Sequence, residues 1–128
     1  MKIQILSLIE ESRILVASDY GEFNAFWNNS ESPITGKQYD VEFDIPYKFT
    51  YSEISISNQL HPEIYSIDEQ TYIIGKIDSY EDKVLCMTIG GTIFLIETVE
   101  DDRFYKLKNN YVMIMTDQLN LYDTKMLL

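Results

Sequence analysis

Residues 72–98, YIIGKIDSYEDKVLCMTIGGTIFLIET, constrain this chain more than any other stretch, because they spell three short strands joined by two tight turns. Residues 72–78 are β-branched and aromatic, Ser79, Tyr80, Glu81 and Asp82 make a polar turn, residues 84–89 are apolar, and Gly90-Gly91 leads into 92–98. A glycine pair suits a primed hairpin turn, since both central positions reach positive φ without a Cβ clash. The expectation is an antiparallel meander that acts as scaffold and presents acidic ends.

The flanking sequence repeats this strand-like texture. Residues 2–19 hold two apolar runs, Ile3 to Leu6 and Ile14 to Ala17, divided by Glu10, Glu11, Ser12 and Arg13. A hairpin and one interrupted helix both fit, and the Ile and Val content favours the hairpin. Phe23, Phe26 and Trp27 stand at i, i+3 and i+4, so they share one face of a helical turn, or else belong to a strand ending at Asn28. In either form they read as core. Residues 28–37 (NNSESPITGK) are the clearest loop.

The cleanest alternation follows. Tyr39, Val41, Phe43 and Ile45 alternate with Asp40, Glu42 and Asp44, so a strand here buries four apolar side chains and displays three carboxylates. Such neighbours stand ~6.5–7 Å apart along a strand face, and a row of like charges gains from a basic partner. Pro62 interrupts regular pairing and opens an irregular connection or a short helix over 62–68. Glu100, Asp101, Asp102 and Arg103 form an acidic turn, and Lys106, Lys108, Asn109 and Asn110 form the locally basic surface. Residues 111–122 return to apolar character with a change of parity near Thr116, Asp117 and Gln118, which predicts a bulge or tight turn. The terminal Met126, Leu127 and Leu128 either pack on the body or form a small apolar patch.

The fold class expected is mainly β: a small antiparallel barrel, such as the five-stranded partly open kind, or a strongly curved sheet, of about 6–8 short strands with at most one or two short helices. A sandwich is the runner-up. At 128 residues one domain, 1–128, is expected. The 45% hydrophobic and 13% aromatic content is that of a folded chain and not an acidic tail. The N-terminal run is too short and acidic for a secretory signal, and no window nears the ~18 apolar residues of a membrane helix, so a cytoplasmic location is expected.

Catalytic and metal chemistry find little material. One cysteine, Cys86, and one histidine, His61, do not make a zinc site, and adjacent carboxylates at 100–102 do not reproduce an alternating calcium loop. Gly90-Gly91 lacks the lysine and helix of a phosphate loop. Cys86 lies in an apolar run where a thiolate is disfavoured, and among 21 carboxylates no acid–base pair stands out. No cofactor, no metal and no enzymatic activity are expected.

Charge points to binding. Twenty-one carboxylates against ten basic residues give a net charge of −11, which repels phosphate backbones and anionic membranes and attracts basic proteins. The candidate partner-binding residues are Asp40, Glu42, Asp44, Tyr47, Asp78, Tyr80, Glu81, Asp82, Glu100, Asp101 and Asp102, because tyrosine rings supply contact area while carboxylates pair with Arg and Lys.

The acidic balance, short length, Tyr-, Ile- and Asn-rich composition, all-β pattern and lack of catalytic or export signals resemble the immunity proteins of bacterial toxin systems, including contact-dependent growth inhibition. The resemblance implies a cytoplasmic antidote that binds a cognate toxin domain, often a basic nuclease, and covers its active site. Two other readings stay open at this point. One is a small barrel binding nucleic acid or oligosaccharide through aromatic residues. The other is a carboxylate-based hydrolase.

Overall fold

The computed structural model describes residues 1–124; the expectation for Met126, Leu127 and Leu128 lies outside the described residues. The strands in chain order are β1 (Lys2–Glu10), β2 (Arg13–Ser18), β3 (Gly21–Trp27), β4 (Gln38–Asp44), β5 (Ser55–Ile56) and β6 (Glu63–Ile67). They continue with β7 (Gln70–Glu81), β8 (Val84–Ile89), β9 (Thr92–Glu97), β10 (Tyr111–Thr116) and β11 (Asn120–Asp123). The chain is mainly β, with two short 3-10 segments, Tyr51–Glu53 and Asp102–Leu107, between strands. Eleven strands among the described residues exceed the expected six to eight, because β5 and β11 are too short to stand out in the apolar pattern and β6 lies where an irregular or helical segment is expected.

The chain folds into two compact units. Unit 1 comprises Met1–Ile45, Ile64–Thr71 and the described stretch from Thr116; unit 2 comprises Pro46–Glu63 and Tyr72–Met115.

Unit 1 contains a closed five-stranded barrel in the order β1-β2-β3-β11-β4. It closes where β1 meets β4, with Ile3 opposite Tyr39 and Lys2 opposite Asp40. The expectation of a wholly antiparallel barrel is corrected at one seam: β11 pairs parallel to β3, with Asn120 opposite Phe26 and Leu121 opposite Trp27. The chain returns here after its excursion through unit 2, so hairpin geometry does not dictate the strand direction. Inward-facing Ile3, Ile5, Ile14, Val16, Phe23 and Val41 are buried, as a barrel this narrow must be filled by side chains. The aromatic trio is not a helical face. On β3 the period is two, so Phe23, Ala25 and Trp27 point inward and Phe26 lies on the other side, half-buried. The expected irregular or helical segment after Pro62 is instead β6, whose Ile64 N–H donates to the Tyr20 carbonyl at 2.9 Å within unit 1.

Unit 2 is built on the sheet order β5-β10-β7-β8-β9. The meander lies where the sequence places it, but its first turn shifts. β7 runs on to Glu81, and the turn is Asp82-Lys83, whose φ values of 51° and 63° give a primed turn without glycine. In the second turn Gly90 carries the positive φ, 60°. Ile73, Ile77, Leu85, Met87, Phe94 and Phe104 are buried in this unit.

Candidate functional site

In unit 2 two acidic segments distant in sequence converge on one cleft. Thr98 forces the convergence: its N–H donates to the Lys83 carbonyl at 2.9 Å, and its Oγ1 lies 3.2 Å from the same oxygen. The chain leaving β9 is thereby pinned against the Asp82-Lys83 turn, so Glu100, Asp101 and Asp102 emerge beside Asp82. Together with Tyr80, Lys83 and Tyr105 these residues line a cavity of about 240 Å³.

The 3-10 turn that follows sets the aromatic wall. Asp101 caps it, accepting from the Arg103 N–H at 3.0 Å. Phe104 is directed into the core and Tyr105 outward, where it remains 59% exposed. The Tyr105 ring meets Tyr80 edge-on at 4.9 Å. Tyr80 itself is only 8% exposed, its ring 5.2 Å from Phe104 and its hydroxyl 3.1 Å from Thr98 Oγ1. The sequence singles out Tyr80 as a docking ring; in the fold it is the floor of the cleft.

The four carboxylates are not equivalent. Asp101 is engaged by its own chain: the Arg103 guanidinium donates Nη2 to Oδ2 at 2.7 Å and Nε to both oxygens at 3.1 Å. That pairing holds the Asp101 carboxyl below its usual range and pushes Arg103 up. Arg103 also lies over the Tyr51 ring, 4.6 Å from its centroid. Asp82, Glu100 and Asp102 form no ion pair among the described residues and are exposed. Lys83 is the one cation on the lining, and it too lacks an ion pair among the described residues.

The remaining singled-out residues lie outside this cleft's lining. Asp78 and Glu81 are exposed on β7. Asp40, Glu42 and Asp44 form the expected row on β4, exposed between buried Tyr39 and Val41 and half-buried Phe43, but this row belongs to unit 1. Its neighbour across the sheet is Tyr122 of β11, opposite Glu42, whose hydroxyl accepts from Asn28 Nδ2 at 2.8 Å. Tyr47 is exposed in unit 2 and tied to Glu53, its hydroxyl donating to Oε2 at 2.6 Å.

Sequence reasoning leaves Lys83 and Tyr105 out of the candidate set. The signal for Tyr105 is present in part: in the run from Asp102 to Leu107 the buried residues are Phe104 and Leu107, a spacing of three that turns Tyr105 outward. Nucleophilic chemistry finds no centre at Cys86, which is half-buried and whose thiol is pushed up chiefly by burial. Among the described residues no group of three His, Cys, Asp or Glu side chains is placed to hold a metal ion, and no helix is long and apolar enough to cross a membrane.

Compared with protein-family models, with curated proteins and with solved structures, the chain matches none of them.

Proposed function

We propose that the chain is an acidic binding protein of the immunity type, which docks a basic protein domain at the unit 2 cleft and performs no chemistry of its own. The observation that carries this reading is the trio Asp82, Glu100 and Asp102, exposed and without an ion pair among the described residues, beside the outward ring of Tyr105. Carboxylates already paired internally gain little from a partner's Arg or Lys, whereas unpaired ones draw a basic surface in and fix its register. The net charge of −11 acts in the same direction at long range. In this reading the partner is a toxin domain, a nuclease among the candidates, and the chain works in a bacterial cytoplasm.

The nucleic-acid or oligosaccharide reading has less support. Trp27 and Tyr39, which pack edge-on at 4.7 Å, are each 6% exposed and offer no stacking platform.

The test is a pull-down from the source cell, followed by titration against any basic domain it recovers. Changing Asp82, Glu100 and Asp102 together to lysine is expected to slow association by about an order of magnitude and to flatten its salt dependence. An unchanged rate moves the interface away from the cleft.

A further inference from the structure

β9 ends the strand order of the unit 2 sheet, so among the described residues one of its edges has no neighbouring strand. The hairpin dictates what that edge presents. Across the two-residue Gly90-Gly91 link, Ile89 pairs with Thr92, Met87 with Phe94 and Leu85 with Ile96. The pair closing such a turn exchanges both backbone bonds, and every second pair repeats this. Ile93, Leu95 and Glu97 therefore turn their N–H and C=O groups to the free edge. The chain itself confirms the direction: Phe49 donates its N–H to the Glu97 carbonyl and accepts from the Val99 N–H, both at 2.9 Å. That bridge occupies the 97–99 end and stops there, leaving Ile93 and Leu95.

Their side chains are equally open. Ile93 is 62% and Leu95 64% exposed, two residues apart on one face, beside Cys86 and Thr88 of β8. Natural sheet edges are usually guarded by lysine, proline or a bulge. The stretch from Gly90 to Ile96 contains none of these and no charge.

We propose that this edge pairs with β9 of a second copy of the chain, antiparallel about Phe94. Ile93 then faces Leu95 of the second copy and Leu95 faces its Ile93, giving about four backbone hydrogen bonds and an apolar cluster. Glu97 falls opposite Gly91, so no carboxylate meets another even though each chain carries −11. The like charge of two such chains is what a strand-to-strand contact must overcome, and this register keeps it out of the contact. A ladder this short lies at the small end of protein interfaces, so the dimer exchanges with monomer and grows with concentration and salt.

Sedimentation of the full chain over a wide concentration range tests this. A concentration-dependent dimer is expected, weakened about tenfold or more by Leu95→Lys and unaffected by Leu60→Lys, a 75% exposed apolar position off the edge. The register has its own test, which does not depend on the lysine variant folding. In a Cys86→Ser background, a mixture of Ile93→Cys and Leu95→Cys chains is expected to form disulfide dimers faster than either chain alone, because facing residues in such a pair lie ~5.5 Å apart. A sedimentation coefficient independent of concentration, association indifferent to Leu95→Lys, or equal cross-linking in the unmixed samples would each overturn the proposal.

Discussion

The Tyr80 hydroxyl lies 3.1 Å from Thr98 Oγ1, and both residues are buried beneath the acidic cleft. Thr98 Oγ1 also lies 2.8 Å from the Val99 carbonyl and 3.2 Å from the Lys83 carbonyl. One hydroxyl thus joins the floor of the cleft to both acidic segments on its rim.

Thr98→Val keeps the shape and removes that junction. It leaves the Tyr80 hydroxyl with only the Val99 carbonyl at 3.5 Å, and is expected to cost about 1–3 kcal/mol, the range for stranding a buried polar group. Tyr80→Phe removes the hydroxyl itself and is expected to cost less, about 0.5–1.5 kcal/mol. Because the two share one interaction, the double variant should lose less than the sum. Urea unfolding of the four chains measures this, and strict additivity would show that the hydroxyls act independently.

How far the sequence discloses this arrangement depends on the range of the interaction. The meander and the β4 row follow from local alternation, which a strand expresses directly. The parallel seam between β3 and β11 does not, because nothing near Asn120 or Leu121 encodes which distant strand they meet. The cleft lies between these cases. Its acidic segments are visible in sequence as separate turns, while their meeting rests on Thr98, an ordinary strand residue until its partners are known. The turn expected at Ser79 to Asp82 is displaced for the same reason: β7 extends to Glu81, which buries the Tyr80 ring as the floor of the cleft.

Gly21 closes the β2–β3 turn of the barrel at φ +133°, and a Cβ built there would lie 2.2 Å from the Ile64 carbonyl oxygen. Backbone, unlike the end of a long side chain, cannot step aside. Gly21→Ala is therefore expected to cost at least about 2 kcal/mol, combining an unfavourable φ with a displaced β6. Thermal or urea unfolding checks this. Gly36→Ala is the control: its φ is also positive, at +87°, but no atom lies within 4 Å of the added carbon, so only the conformational penalty remains.

Tyr47 and Glu53 make a pH-dependent pair. The Tyr47 hydroxyl donates to Oε2 at 2.6 Å, and the Thr50 N–H donates to Oε1 at 2.8 Å. The bond from Tyr47, followed by that from Thr50, holds the Glu53 carboxyl below its usual range. The same bond pushes the Tyr47 hydroxyl up. The carboxylate's contribution is present above the ordinary carboxylate range and is lost as pH falls through the lowered folded value. The phenol's is present below the ordinary tyrosine range and is lost as pH rises through the raised folded value. Both groups are solvent-exposed, so the effect on stability is small and titration is the better probe. By NMR, Glu53→Gln is expected to bring the Tyr47 titration back toward that of a free tyrosine. A titration left unmoved would place the cause elsewhere.

The Asp82-Lys83 turn combines backbone strain with the charge lining the cleft, and separate substitutions can resolve the two. Both residues sit at positive φ, where a side chain is disfavoured, and Lys83 lacks the short polar group that lets Asp tolerate it. Lys83→Gly removes that strain and is expected to stabilise the fold by up to about 1 kcal/mol, part of the gain being returned as unfolded-chain entropy. It also removes the one cation lining the cleft, which leaves the field of Asp82, Glu100 and Asp102 unopposed. Association with a basic partner should therefore quicken, most at low salt. Lys83→Asn separates the two effects: it removes the same charge while asparagine relieves less of the strain, so it should match the glycine variant in rate and trail it in stability. If stability and rate rise together in the glycine variant but neither changes in the asparagine one, the backbone of the turn, and not the lysine charge, governs access to the cleft.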